Sequence, residues 1–211
     1  MVVLNKAYRD DYLIDQSQSE QNFLALDALF AELTGERKHY VLDLGPAQGS
    51  TVEFFSRFQC RLYIEDLYRS LTTDLLCAPG EAPAEEGERA ITDCLLDYGD
   101  TRFDLILFWD LFDYLSRDQL TAVLDYLRPH CRRGTTLFLI TSAMRQMPAQ
   151  PAHFKIVDQG HIAYDNPATA SRESPGYKQG DLQRLLPDFR LHRGFRMSSG
   201  MEEYLFVHEG R

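Results

Sequence analysis

The chain has 211 residues, 44% of them hydrophobic and 12% aromatic, which is enough apolar material to bury a core in one globular domain spanning residues 1–211. Its formal net charge of -10 disfavours general binding to nucleic acids or anionic membranes. The four cysteines lack metal-ligand spacing, no stretch approaches the roughly 18 apolar residues of a membrane span, and the acidic N-terminus does not resemble a signal peptide, so we expect a cytoplasmic protein without a metal.

Hydrophobic spacing predicts strands that alternate with helices along most of the chain. In chain order the predicted elements are a helix at residues 19–33 capped by Ser17 or Ser19, a strand at 40–44, a helix at 50–58, strands at 61–64 and 103–109, a helix that starts at Ser116 and ends near Pro129, a strand at 135–140, a helix at 181–186, and strands at 190–197 and 203–208. Residues 90–96 fit either a strand or a short helix, and periodicity does not decide between them. Residues 78–88 combine Pro, Gly and Glu and predict an exposed loop.

This alternation predicts an α/β fold with a Rossmann-like, doubly wound sheet of seven mostly parallel strands. Residues 1–35 would form an N-terminal helical segment. The last two strands are separated only by residues 198–201, and so short a link makes neighbouring strands antiparallel. We therefore expect an antiparallel strand at the C-terminal end of the sheet.

The segment from Val41 to Ser50 carries the strongest functional signal. A strand enters a turn at Gly45, Gly49 would allow a ligand close to the backbone, and the helix that follows would present free N–H groups to a negative ligand group. Glu65 lies 20 residues beyond Gly45 at the end of the second strand, with Asp66 next to it. An acidic side chain there accepts hydrogen bonds from ribose hydroxyls, so these features predict a pocket for an adenosine-containing ligand.

These residues resemble the motifs of the class I S-adenosylmethionine-dependent methyltransferases. Asp43-Leu44-Gly45 with Gly49 resembles the glycine-rich first motif of that family, and Glu65-Asp66 resembles the acidic end of its second strand. Residues 103–107 resemble its fourth strand, and Leu127-Arg128-Pro129 ahead of Gly134 resembles the approach to its fifth. The resemblance covers roughly residues 33 to 140 and the last 25 or so.

The resemblance implies methyl transfer with S-adenosylmethionine as cofactor, and the acidic surface favours a small-molecule acceptor. It also implies cofactor-binding roles for nine residues. Asp43, Gly45, Ala47 and Gly49 would hold the methionine part, Glu65 and Asp66 the ribose, and the region of Asp93 the adenine, while Trp109 and Asp110 would face the methyl group.

Three departures keep other functions open. Ala47 replaces the middle glycine of the family motif, Pro46 stiffens the turn, and no Asn/Asp-Pro-Pro-Tyr sequence follows the fourth strand. A non-catalytic binding or regulatory module with the same fold is therefore the alternative. A nicotinamide-dependent oxidoreductase is disfavoured, because the dinucleotide fingerprint fails at Ala47 and Ser50.

Residues 141–177 follow no clear helical or strand period, and they predict either a surface loop or an insert over the pocket mouth that selects the substrate. His153, His161 and Tyr164 are candidates for a general base, and no catalytic residue is identified.

Overall fold

The computed structural model describes residues 2–4, 19–32, 37–70, 91–166 and 169–210. The strands are β1 (Val2–Leu4), β2 (Ser19–Asn22), β3 (His39–Asp43), β4 (Cys60–Ile64), β5 (Leu105–Trp109), β6 (Thr136–Ser142), β7 (Gln146–Pro148), β8 (His153–Ile156), β9 (His161–Asp165), β10 (Ser171–Glu173), β11 (Phe189–Arg196) and β12 (Met201–His208). The α-helices are α1 (Leu24–Glu32), α2 (Gly49–Ser56), α3 (Leu67–Ser70), α4 (Leu111–Tyr114), α5 (Arg117–Leu127) and α6 (Gln179–Leu185). None of the helices within these ranges has both the length and the apolar character of a membrane span.

The central sheet has seven strands in the order β1-β4-β3-β5-β6-β12-β11. The first five in this order pair in parallel, whereas β12 pairs antiparallel with both β6 and β11. The expected α/β class, the mostly parallel sheet and the antiparallel C-terminal strand are therefore confirmed.

One edge strand of the sheet comes from residues 1–35, where the sequence predicted a helical segment. Val2–Leu4 pairs in parallel with β4, with Val2 opposite Leu62. Residues 91–93, for which a strand or a short helix was possible, form a helical turn. Residues 78–88, the predicted exposed loop, lie outside the described residues.

The strand β5 is apolar at every position because both of its faces are covered. Ile106 and Phe108 belong to one hydrophobic cluster, with residues of α5 and α6. Leu105, Leu107 and Trp109 belong to the other, with residues of α1 and α2. Because successive strand residues point to opposite faces, a strand covered on both faces needs apolar side chains at every position.

The helix α5 begins as its sequence predicts. The backbone N–H of Gln119 donates to Ser116 Oγ at 3.2 Å, and the backbone N–H of Ser116 donates to Gln119 Oε1 at 2.9 Å. This reciprocal pair is a capping box, which satisfies two of the N–H groups that a helix start leaves without partners.

The prediction of a helix from residue 19 was wrong at its start. Ser19–Asn22 is a strand that pairs antiparallel with β9, and the helix begins at Leu24. Its first N–H groups are capped from a distance. The backbone N–H groups of Leu24 and Ala25 donate to the Glu203 carboxylate of β12, at 2.9 and 3.1 Å. The capping residue thus lies 179 positions away from Leu24 in the chain, and no local sequence pattern predicts it.

The insert contains regular structure that the sequence analysis missed. The strands β2, β9 and β8 form a three-stranded sheet, here called the cover sheet, and β10 pairs with β7. Phe154 and Ile156 of β8 are buried while His153 and Lys155 are half-buried, which is the alternation of a strand with one covered face. The backbone N–H of Ile156 donates to Thr51 Oγ1 at 3.0 Å, and this bond joins the cover sheet to α2.

Candidate active site

The turn of residues 45–48 joins β3 to α2, as predicted. Asp43, the last residue of β3, is buried, and its Oδ1 accepts hydrogen bonds from the backbone N–H of Gly45 at 2.9 Å and from Trp109 Nε1 at 2.6 Å. Burial raises the pKa of the Asp43 carboxyl to about 6, although both hydrogen bonds oppose that rise. Asp43 thus connects the turn to the end of β5.

Gly45 and Gly49 meet different surroundings. A Cβ atom at Gly45 would lie 2.7 Å from Trp109 Cδ1 and 2.8 Å from Trp109 Nε1, so glycine is required there by the indole. At Gly49, the first residue of α2, a Cβ atom would meet nothing within 4 Å. The open space for a ligand therefore lies beside Gly49, whereas Gly45 is needed for packing within the chain.

Trp109 is enclosed by aromatic side chains. Its ring stacks parallel to that of Phe154, with centroids 5.4 Å apart and an interplanar angle of 2°, and meets Phe138 edge-on. Its φ of 51° lies in the left-handed region, which a bulky residue rarely adopts. Trp109 is 1% exposed, so its indole links the turn to the cover sheet rather than facing solvent.

Glu65 lies at the end of β4, where the sequence placed it, but its carboxylate already has partners within the chain. Tyr98 Oη donates to Glu65 Oε1 at 2.6 Å, and the backbone N–H of Leu96 donates to the same carboxylate at 3.2 Å. Burial and the neighbouring Glu65 raise the pKa of Tyr98. Asp66 is also buried, and Asp93 is exposed in the turn that precedes Leu96.

Asp110 lies directly after β5 and is held on both carboxylate oxygens. Tyr68 Oη donates to Asp110 Oδ1, and the backbone N–H of Ala152 donates to Oδ2 at 3.0 Å. Burial raises the pKa of Asp110 to about 6. The residue therefore fixes α3 and the segment just before β8 against the carboxyl end of β5.

A cavity of about 220 Å³ opens beside Asp110 at the carboxyl ends of β5 and β6. Its walls come from α4, β6, the insert and the turn before β12. The lining residues are Asp110, Asp113, Tyr114, Ile140, Ser142, Met144, Gln146, Met147, Pro148, Ala152, Phe154, Tyr164, Asn166, Ser199, Gly200 and Met201. Of the predicted cofactor residues this set includes only Asp110, and the turn at residues 45–49 does not line this cavity.

Sequence reasoning missed Asp113, which lines this cavity. Asp113 Oδ2 accepts a hydrogen bond from the backbone N–H of Ser142 at 2.6 Å. Burial raises its pKa to about 8, and Asp110 adds to the rise, whereas the Ser142 bond and Arg172 oppose it. The sequence signal that could have identified it is a carboxylate inside the apolar run Leu111-Phe112-Asp113-Tyr114. Charged residues are rarely buried unless they are paired, and those that are buried often belong to functional sites.

The candidate bases of the insert separate into two groups. Tyr164 lines the cavity, half-buried. His161 is exposed on β9, where its Nδ1 lies 2.6 Å from Asp158 Oδ1. His153 Nδ1 lies 3.6 Å from Asp165 Oδ1. Neither histidine lines the cavity.

The buried carboxyl groups predict an unusual pH dependence of stability. The pKa of Asp113 is about 8 in the folded chain and near 3.8 when unfolded, so between these values the folded state binds more protons. Its contribution is therefore fully present below the unfolded pKa and is lost as the pH rises through 8. We expect the free energy of unfolding, measured with urea, to rise as the pH is lowered from 8 to 6.

The Asp113→Asn variant should reduce this slope, because the asparagine does not titrate, while Asp43 and Asp110, whose pKa values are raised to about 6, still contribute near pH 6. Asp118→Asn, at an exposed position in the first turn of α5, is the control and should keep the wild-type slope. A slope that is equal in all three proteins would contradict the assignment. Each unit of pKa difference corresponds to about 1.4 kcal/mol.

Comparisons with known proteins bear on the fold alone. No family model and no curated protein matches the chain. Among solved structures, 1,6-didemethyltoxoflavin-N1-methyltransferase from Burkholderia thailandensis is 18% identical, with 89% of this chain and 78% of that chain covered and a TM-score of 0.52. An S-adenosylmethionine-dependent methyltransferase from Clostridium acetobutylicum is 14% identical, with 87% and 89% covered and a TM-score of 0.51. A third, from Methanosarcina mazei, is 12% identical, with 87% and 98% covered and a TM-score of 0.50. These similarities confirm the Rossmann-like methyltransferase fold.

Proposed function

We propose that the chain transfers a methyl group from S-adenosylmethionine to a small molecule bound in the cavity beside Asp110 and Asp113. The observation that carries this proposal is the place of that cavity, at the carboxyl ends of two parallel strands, where open α/β sheets bind their ligands. The Burkholderia thailandensis enzyme, which has a similar fold, was solved with 1,6-didemethyltoxoflavin and S-adenosylhomocysteine bound.

The cofactor would supply a methyl group on a sulfonium, a carbon already activated by its leaving group. The start of α2 fits its methionine carboxylate, because the first N–H groups of a helix have no partner within the helix. Gly49 leaves space beside the backbone there. Ser50 Oγ is buried and has no hydrogen-bond partner within the described ranges. We assign this part of the cofactor to the turn and first residues of α2, including Ala47.

The adenosine part of the cofactor fits beside Glu65 only if it replaces hydrogen bonds that this carboxylate already accepts within the chain. The Glu65 carboxylate is bound by Tyr98 Oη and the Leu96 N–H, so ribose hydroxyls would have to replace these donors. Leu96 follows Asp93 closely, and the same segment would then move beside the adenine. We keep Glu65 as the ribose ligand, with Asp66 as the other carboxylate of the pair, and expect this exchange on binding.

The chain's own contribution would be to hold the two reactants in position. Phe154 lines the cavity and stacks on Trp109, which in turn donates to Asp43. This line of contacts connects the proposed acceptor site to the turn that would carry the cofactor. Because fixed near-attack geometry supplies much of the rate of such a transfer, few chemical residues are needed.

Calorimetric titration with S-adenosylhomocysteine tests the assignment of Glu65. We expect Glu65→Gln to bind about tenfold more weakly or worse, because hydrogen bonds to a charged acceptor contribute about 1.5–3 kcal/mol each. Glu53→Gln, at an exposed position of α2, should bind as the wild type does. Unchanged affinity in Glu65→Gln with impaired binding in Asp66→Asn would move ribose recognition to Asp66.

Two observations favour the alternative of a non-catalytic binding module. Glu65 is bound within the chain, and the side chain of Trp109 fills the space over Gly45. Titration with S-adenosylmethionine, S-adenosylhomocysteine and the reduced nicotinamides distinguishes the two functions. Binding of the first two alone supports methyl transfer, whereas binding of none supports the module.

A further inference from the structure

One residue that lines the cavity, Asp113, has a buried carboxylate oxygen without a hydrogen-bond partner in the described part of the chain. Asp113 is 3% exposed, and while its Oδ2 is bound by the Ser142 N–H, its Oδ1 has no hydrogen-bond partner there. Buried polar atoms are nearly always paired, and leaving one unpaired costs about 1–3 kcal/mol. Because Asp113 lines the cavity, an unsatisfied acceptor on this side chain points to a ligand that donates a hydrogen bond.

The charge of the cavity wall favours a cation. Its charged lining residues are Asp110 and Asp113, and both are acidic. Asp110 is already bound on both oxygens, by Tyr68 and Ala152. The guanidinium of Arg172 acts on Asp113 from over the Tyr114 ring, 5.8 Å from its centroid, and Arg172 does not line the cavity. An anionic ligand would therefore find no positive partner on the wall, whereas a cation would stabilise the ionised form of both carboxyls, whose pKa values burial raises.

The rest of the wall favours an apolar body. Three methionines and one phenylalanine line the cavity, together with the aliphatic side chain of Ile140, and the methionines are Met144, Met147 and Met201. Thioether and aromatic groups pack against flat or irregular apolar ligands. A volume of about 220 Å³ suits a molecule with one or two small rings.

We propose that the methyl acceptor is a small apolar amine whose nitrogen binds to Asp113 Oδ1, and that Asp113 takes one proton from the ammonium group. The inference rests on the proposed function. The proton moves from nitrogen to oxygen, which leaves a neutral acid and a neutral amine whose lone pair is free for attack. Amine recognition and proton removal thus fall to the same atom.

The surroundings of Asp113 suit this role. Burial and Asp110 raise its pKa to about 8, so the carboxyl holds a proton more readily than an ordinary aspartate. The other groups that face it are Tyr114 on α4, Arg172 on β10 and Tyr177 ahead of α6. Of these, Arg172 alone stabilises the charged form. Entry of an ammonium group would add a second positive charge and favour loss of the carboxyl proton to solvent, which leaves a carboxylate that can take the proton of the ammonium group.

Ligand-detected NMR with simple probes tests the inference in the intact protein. The probes are benzylamine, 2-phenylethylamine and tryptamine, with benzyl alcohol and benzoate as the neutral and anionic counterparts. We expect at least one amine to bind and benzoate not to bind. Asp113→Asn should weaken amine binding about tenfold or more, while Asp118→Asn should leave it unchanged.

A second measurement on the wild type avoids reliance on a variant that fails to fold. Addition of the amine should shift the carboxyl ¹³C resonance of Asp113 and leave that of Asp118 in place. The inference would be overturned if none of the three amines binds, if benzoate binds as well as the amines, or if amine binding is unchanged in Asp113→Asn.

Titration with S-adenosylhomocysteine separates this inference from the proposed function. If the cofactor product binds and the amines do not, methyl transfer stands and the amine acceptor is refuted. If the amines bind and the cofactor product does not, the site stands as an amine site, and its role as a methyl-acceptor site is refuted.

Discussion

Gly45→Ala is expected to lower the free energy of unfolding by about 2–3 kcal/mol and to weaken binding of S-adenosylhomocysteine about tenfold or more. The new Cβ atom would lie 2.7 Å from Trp109 Cδ1 and 3.2 Å from Asp43 Oδ1. These atoms belong to fully packed groups, so relief requires the indole to move and its hydrogen bond to Asp43 to lengthen. Urea denaturation and calorimetry measure the two effects.

Gly49→Ala is the matched control, since the same extra atom meets nothing within 4 Å. Its stability should equal that of the wild type or exceed it by up to about 1 kcal/mol, because glycine is unfavourable in a helix. If a ligand uses the open space beside Gly49, affinity falls in this variant without a loss of stability. A Gly45→Ala variant as stable as the wild type would show that the Trp109 indole can move without lowering the free energy of unfolding.

Trp109→Phe should be the most destabilising of the conservative changes, with a loss of about 3 kcal/mol or more. It removes part of a buried ring system that stacks on Phe154, and it removes the donor to Asp43 Oδ1. Asp43 would keep only the Gly45 N–H among the bonds described above, so its pKa should rise further above about 6. Urea denaturation at pH 8 measures the loss where the carboxylate is ionised.

A double-mutant cycle with Asp43→Asn separates the two causes of that loss. The asparagine removes the buried charge, so Trp109→Phe should cost less in this background, and the difference estimates the coupling between indole and carboxylate. Equal costs in both backgrounds would show that ring packing alone explains the effect and that the hydrogen bond contributes nothing.

The predictions that succeeded depend on local patterns. The apolar run of β5 indicated a strand covered on both faces, Ser116 with Gln119 indicated a helix start, and the chain from Asp43 to Gly49 indicated a strand, a turn and a helix. Each of these signals lies within about ten residues, where backbone geometry and side-chain spacing decide the outcome.

The predictions that failed depend on distant partners. Ser19–Asn22 is a strand because β9 lies beside it, although its sequence is compatible with a helix. The edge strand Val2–Leu4 likewise exists through its pairing with β4. The alternation in β8 was present in the sequence but spans only four residues, too few to stand out in an irregular segment.

The candidate site was predictable in its outline and less so in its detail. The sequence placed Asp43, Gly45, Glu65 and Trp109 at strand ends, where they lie. It could not reveal that Trp109 would pack on Gly45 or that Tyr98 would bind Glu65, because these contacts depend on the paths of distant segments. Asp113 was missed, and its only signal in the sequence was a charge within an apolar run.

Because Glu203 of β12 caps α1, the start of this helix can be completed only after β12 is in place. The hydrogen bond joins residues 179 positions apart, and β12 itself must first settle between β6 and β11. Closing so long a loop is entropically costly and slow, so contacts of this kind form after local ones. We therefore expect α1 to remain uncapped on the ribosome until β12 has emerged.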